Sequence, residues 1–271
     1  MGKVFPLTVA ASKENPFVNT LGMKFVPIPG GPSHDHPTLF CVWDTRVQDY
    51  AVYAGAKKVD DAWTKQERDG VPAGREPNHP VVGVTWEEAQ AFCEWLTEKE
   101  SAEGKLPRGW KYRLPSDAEW SRAVGLPSEA GTTPAQKSGK NKVDFPWGKG
   151  FPPTKAVGNY ADEVFHGKFP KEPTNPTKDH PWIVKYDDGY ATTSPVGSFP
   201  ANAYGLYDMG GNVWQWCEDW SDASHKNRAL RGASWGNALP NFLLSSYRAY
   251  SAPGDRDSCY GFRCVLSGSE R

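Results

Sequence analysis

The chain has 271 residues, of which 38% are hydrophobic and 13% aromatic, with 12 Trp, 27 Gly and 24 Pro; this is core enough for one large domain packed with big aromatics and much irregular backbone. A formal net charge of -1 gives no electrostatic reason to bind nucleic acid or an anionic membrane surface. No apolar run approaches a membrane span, and the five cysteines Cys41, Cys93, Cys217, Cys259 and Cys264 lack the C-x-x-C spacing of a zinc ribbon.

Residues 1–18 read as an N-terminal arm ahead of one domain over 19–267. The opening MGKVFPLTV shows no export signal, and Pro6 stands where a myristoylation motif needs Ser or Thr. MKFVPIPGG at 23–31 reads as a strand ending in a Pro-Gly turn. TRVQDYAVYAGA predicts a helix near 45–55, with Val47, Tyr50, Ala51 and Ala54 on one face and Gly55 as its stop. Thr85 with Glu88 and Ser116 with Glu119 are two capping boxes, which predict helices over 85–102 and 116–124. Residues 126–200 show little periodicity and read as long surface loops, punctuated by FPWG and GNYAD. NVWQWCEDW, RALRGASW and GFRCVL predict short strands in the last third, with Trp214 and Trp216 on one face and Gln215 and Cys217 on the other.

No hydrolase, zinc-protease or nucleotide-loop motif occurs. His34 and His36 lie in a Pro-flanked loop and read as solvated rather than as metal ligands. The adjacent acids Glu87/Glu88 and Asp187/Asp188 read as solvated charge, because neighbours in sequence do not converge on a helix. DMGGN at 208–212 reads as a turn. Trp86, Trp95, Trp120, Trp147, Trp214, Trp216 and Trp235 read as core.

The motifs recur in a familiar order: NTLGMKFVPIPGG, HPVVGVTWEEAQAFCEWL, YRLPSDAEWSRA, FPWG, NYAD, SPVGSFPANAYGLYDMGGNVWQWCEDW, LRGASW and GFRCVL. Together they resemble the formylglycine-generating-enzyme (sulfatase-modifying factor) domain over about residues 19–267. The resemblance implies an α+β, C-type-lectin-like fold, loop-rich, with a small twisted antiparallel sheet and two main helices. The oxidising enzymes of this family carry a cysteine pair between the RGGS-type strand and GFR. Here that interval reads NALPNFLLSSYR and no Cys occurs from Glu218 to Ser258, so a thiolate mechanism lacks its ligands.

The same interval resembles the variable region of proteins diversified by retroelements, nearest to the spirochaete variable surface lipoproteins of that class. RGASW is followed by RAYSAPGDRDSCYGFR, which fits the spacing R-x4-P-x2-R-x4-GFR. From Gly236 to Tyr260 there is no Lys, Glu, Gln, Met or Trp. Those residues are the ones that adenine mutagenesis of Asn codons ending in a pyrimidine cannot produce.

The resemblance implies a non-enzymatic, receptor- or adhesin-like protein, the alternative being a formylglycine-generating-type oxidase or another enzyme of the wider family. Its ligand face is expected at Gly236, Ala238, Leu239, Phe242, Leu243, Leu244, Tyr247, Ala249, Tyr250, Ser251, Ala252, Asp257, Ser258, Cys259 and Tyr260. Tyr and Ser are what antibody paratopes favour. Arg248, Pro253, Arg256, Gly261, Phe262 and Arg263 are expected to be scaffold. The expected partner is a protein ligand, with no nucleic acid, for a monomer at the cell surface or outside the cell. Any membrane contact would come through a lipid anchor removed with an export signal. No cofactor is expected. Calcium, which the family often binds, is open at Asn159–Asp162 and disfavoured at Asn212–Gln215, where Gln215 replaces a carboxylate. The family also commonly bridges the positions of Cys93 and Cys264, against which stand two buried free thiols.

Overall fold

Alternation along the strands sends successive side chains to two different apolar clusters. Phe25, Leu39, Cys41, Trp216, Leu230 and Leu266 enter one, while their neighbours Val26, Phe40, Val42, Cys217, Ala229 and Val265 enter the other. The inner strands of the sheets are therefore buried on both faces. The computed structural model that shows this describes residues 11–28, 30, 38–169, 176–178 and 181–268. The His34 and His36 reading lies outside them.

Two sheets carry the architecture, which is the α+β, loop-rich, C-type-lectin-like fold expected. In the first, β1 (Phe17–Val18), β2 (Lys24–Pro27), β3 (Leu39–Cys41) and β6 (Trp110–Arg113) join β13 (Val265–Gly268) in the order β1-β2-β3-β13-β6, all antiparallel. The sheet thus begins at Phe17, inside the segment expected to be a free arm. In the second, β9 (Trp214–Trp220), β10 (Arg228–Arg231), β11 (Ala249–Ser251) and β12 (Tyr260–Gly261) run in the order β11-β10-β9-β12. The β12–β9 pair is parallel. GFRCVL, expected as one strand, is split between β12 and β13, because Phe262, Arg263 and Cys264 cross from one sheet to the other.

Three helices of eight residues or more are described: α1 (Val47–Lys57), α2 (Trp86–Ala102) and α3 (Asp117–Val124). The boxes Thr85/Glu88 and Ser116/Glu119 cap α2 and α3, hydroxyl to N3 amide and carboxylate back to the cap amide. α1 has none of the usual capping residues at its start. Its N-cap is Arg46, whose amide donates to Asp49 Oδ2 at 3.1 Å while its guanidinium grips the same carboxylate at 2.9 Å. The helix also runs past Gly55 and stops at Lys58, which takes the left-handed conformation at φ 55°. No described helix is long and apolar enough to cross a membrane.

The stretch expected as loops holds more structure than that. It contains α4 (Pro134–Lys137), the hairpin β7 (Asp144–Phe145) and β8 (Gly148–Lys149), and α5 (Glu163–Lys168). Another hairpin, β4 (Glu67–Arg68) and β5 (Val71–Pro72), turns on Asp69 and Gly70, both at positive φ. Gly211 has no alternative, since a Cβ there would stand 2.4 Å from Asn159 O.

Candidate ligand-binding face

Residues 236–260 supply one edge strand of the second sheet, β11, and reach the opposite edge strand, β12, at Tyr260, held by a few anchors. Arg248 is buried in an ionic knot. Its Nε and Nη2 each lie 2.9 Å from the Asp117 carboxylate, its Nη1 lies 2.5 Å from Glu129 Oε1, and its Nη1 also donates to Ser246 O at 2.7 Å. Arg231 grips Asp117 as well and donates to Ser245 O at 2.8 Å. Burial alone would raise the Asp117 carboxyl. Arg231, Arg248 and Lys137 outweigh that and hold it at about 2.

Downstream, Pro253 O accepts from Trp86 N at 2.9 Å, at the start of α2. Arg256 grips Glu88 and donates to Gly83 O at 2.9 Å. Glu88 is thus the cap expected from its box with Thr85 and also an anchor, which overturns its other reading as solvated charge. Asp188 also departs from that reading, because it is buried and accepts from Tyr160 N at 2.7 Å. Gly261, Phe262 and Arg263 are buried, with Arg263 Nε on Gln215 Oε1 at 2.8 Å and Nη2 on Asp44 Oδ1 at 3.1 Å.

Between the anchors the expected face divides. Tyr250 on β11 is 61% exposed, and Asp257 is exposed. Gly236, Leu239, Phe242, Tyr247, Ala249, Ser251, Ala252, Ser258, Cys259 and Tyr260 are half-buried. Ala238, Leu243 and Leu244 depart from the expectation, because they are buried members of the main apolar cluster. The short helix α6 (Pro240–Leu243) turns Leu243 inward, and its apolar side chain has no reason to return to water. Tyr247 lies between Phe242, at 5.1 Å between ring centroids, and Trp214, at 6.1 Å. Tyr260 meets Trp216 edge-on at 5.4 Å. These two rings are half surface and half core, whereas Tyr250 is all surface.

Residues outside the segment complete the surface, and the sequence reading missed them. The β4–β5 hairpin brings Arg68 so close that a Cβ on Gly236 would sit 3.8 Å from its Nη1. The Arg68 guanidinium lies over Phe165 at 4.6 Å and Phe169 at 5.0 Å. The Asp-Gly pair at 69–70 was the available signal for this hairpin.

The sulfurs of Cys93 and Cys264 stand 3.5 Å apart, both buried and both as thiols. At the two loops implied for calcium the side chains differ. Asn159 Oδ1 is buried with no partner. Asp188, which accepts from Tyr160 N, is raised to about 8, by burial first and then by the charge of Asp162. The oxygens of Asp162 and Asp188 each take a backbone amide, so the Asn159 amide oxygen is the group of these left without a partner, an oxygen of the kind a hard cation takes. Gln215 does not. Its Oε1 accepts from Trp120 Nε1 and Arg263 Nε, each at 2.8 Å, and its Nε2 donates to Asp208 O at 2.8 Å. Among the described residues no group of three or more His, Cys, Asp and Glu converges on one point.

The sulfatase-modifying factor enzyme 1-like domain matches residues 8–267 of the chain. A formylglycine-generating enzyme of Thermomonospora curvata is 34% identical over 161 residues, which is 59% of this chain and 40% of that protein. An inactive C-alpha-formylglycine-generating enzyme 2 of Bos taurus is 32% identical over 216 residues, covering 77% of this chain and 57% of that one. The chain thus spans roughly half the length of these relatives. Among solved structures, Treponema denticola variable protein 1 aligns with a TM-score of 0.53 at 19% identity, over 90% of this chain and 94% of that one. At that identity it speaks for the fold alone.

Proposed function

The chain belongs to the sulfatase-modifying factor enzyme 1-like domain family, and from that premise we propose that it is a non-enzymatic ligand-binding member. Its ligand is a protein held by the exposed and half-buried residues of 236–260. The carrying observation is that no Cys occurs from Glu218 to Ser258, so the interval that holds the family's catalytic thiols offers tyrosines, serines and carboxylates instead. That some relatives of the family are named inactive agrees with this reading. A cysteine-containing sulfatase-type peptide, incubated with the chain, copper and a reductant, is expected to gain no aldehyde. Formation of formylglycine above the protein-free background would establish the oxidase in its place.

The proposal extends to two supporting features. Cys93 and Cys264 are expected to join on oxidation, closing a loop of 171 residues and adding up to about 5 kcal/mol in the chain-entropy picture. Peptide mapping without reductant reads the link directly, and two alkylated thiols after treatment with oxidised glutathione would count against it. Calcium is expected to raise Tm through Asn159 and Asp188. Asp188→Asn should remove that rise, whereas a rise retained in the variant would place the ion elsewhere.

A further inference from the structure

A second surface, which abuts Ser245 and Ser246 through backbone hydrogen bonds from Asp144 and Gly139, gathers positive charge around a cavity. Between Gly139 and Val157 the chain carries four exposed lysines, Lys140, Lys142, Lys149 and Lys155, and one acid, Asp144. The whole chain has a net charge of only -1, so this is a marked local segregation. The β7–β8 hairpin sits within it and sets Lys149 opposite Asp144. Beside the hairpin opens a cavity of about 430 Å³, lined among others by Asp144, Phe145, Pro146, Trp147 and Lys155, and by no residue of 236–260. Gly210 packs tightly against Pro146 in the lining, since a Cβ there would stand 2.4 Å from Pro146 Cγ.

Trp147 is the feature that the core reading leaves unexplained. It is half-buried rather than buried. Its ring stacks on Phe145 at 4.7 Å and 13°, meets Tyr160 at 5.5 Å and 70°, and donates from Nε1 to Gly150 O at 3.1 Å. A large aromatic is thus fixed in orientation and still left partly in water at the wall of a cavity. Such a wall takes the apolar face of a flat polar molecule, while a few placed polar groups orient it.

We propose that this cavity and its lysine rim bind an acidic saccharide, one whose rings carry carboxylate or sulfate groups. The aromatic wall receives the C–H face of a sugar ring. Asp144 accepts from ring hydroxyls. Lys155 in the wall and Lys149 on the hairpin meet the anionic groups through charge-assisted hydrogen bonds. A lipid surface fits less well, because a concave wall with an acid in it cannot press into a bilayer. The site is independent of the 236–260 face and stands or falls without it.

The test uses the intact chain against immobilised heparin and polygalacturonate, with neutral dextran and phosphatidylglycerol vesicles as comparisons. Binding to one or both acidic glycans is expected, weakening with salt. Lys149→Glu with Lys155→Glu should weaken it by at least about tenfold at unchanged Tm, and so should Trp147→Phe. No glycan binding, equal binding to dextran, or binding to vesicles alone would overturn the proposal. Binding that survives both sets of substitutions would overturn it too, since that would be mere polyanion attraction elsewhere.

Discussion

Asp117→Ala is expected to cost about 3–5 kcal/mol of stability, the range for a buried ion pair that loses one partner. The reason is count as much as contact. Asp117 receives Arg231 and Arg248, both essentially without solvent exposure, and Lys137 approaches it at 3.6 Å. Removing the carboxylate strands two buried guanidiniums, with only Glu129 left beside Arg248. The anchor that fixes the middle of the 236–260 segment should loosen with it. The carboxyl sits at about 2 when folded, below its unfolded value. Its contribution is therefore fully present above the unfolded pKa, near 4, and is lost as pH falls through about 2. Urea unfolding of the variant against the parent measures the loss, and a change under about 1 kcal/mol would show that the knot relaxes around water.

Tyr250→Ser combined with Asp257→Ala should leave Tm within about 3 °C yet weaken protein capture by at least about a hundredfold, the scale of a lost hot spot. Tyr250 is 61% exposed and its β11 strand has one neighbour, β10, with Tyr250 opposite Ala229. Nothing in the core depends on that ring. The same substitution at Tyr247 or Tyr260 would confuse binding with stability, because both rings pack on buried tryptophans. The measurement needs a binder selected from a displayed protein library on the intact chain. Val18→Ser, at another exposed apolar position, serves as the control. Binders indifferent to both substitutions would place the contact surface elsewhere.

What could be read in advance follows the range of the interactions. The caps of α2 and α3 are four-residue patterns, and they stand where the sequence puts them. The cap of α1 could not be read, because Arg is not a capping residue and succeeds only by a guanidinium grip on Asp49. Alternation placed Gln215 on the face opposite Trp214 and Trp216 and said nothing of its partners. The residue is buried because Trp120 and Arg263, 95 and 48 residues away, bring it partners. Arg248 and Arg263 were assigned to the scaffold from spacing, and they are buried. Ala238, Leu243 and Leu244 were assigned to the face by position, although their apolar character pointed inward. The Asp-Gly turn that delivers Arg68 was legible and was missed.

The anchors along the last part of the chain have a consequence for what its surface can become. Arg248, Pro253, Arg256 and Gly261 fix the backbone at intervals that leave only four, two and four residues between them. Stretches so short, tied at both ends, have little freedom to change path when their side chains change. Substitution there alters the chemistry presented while conserving its outline, as type is reset in a locked frame. A partner meeting such a frame spends little free energy on ordering it. Variants of this segment should accordingly differ in whom they hold more than in how rigidly they hold it.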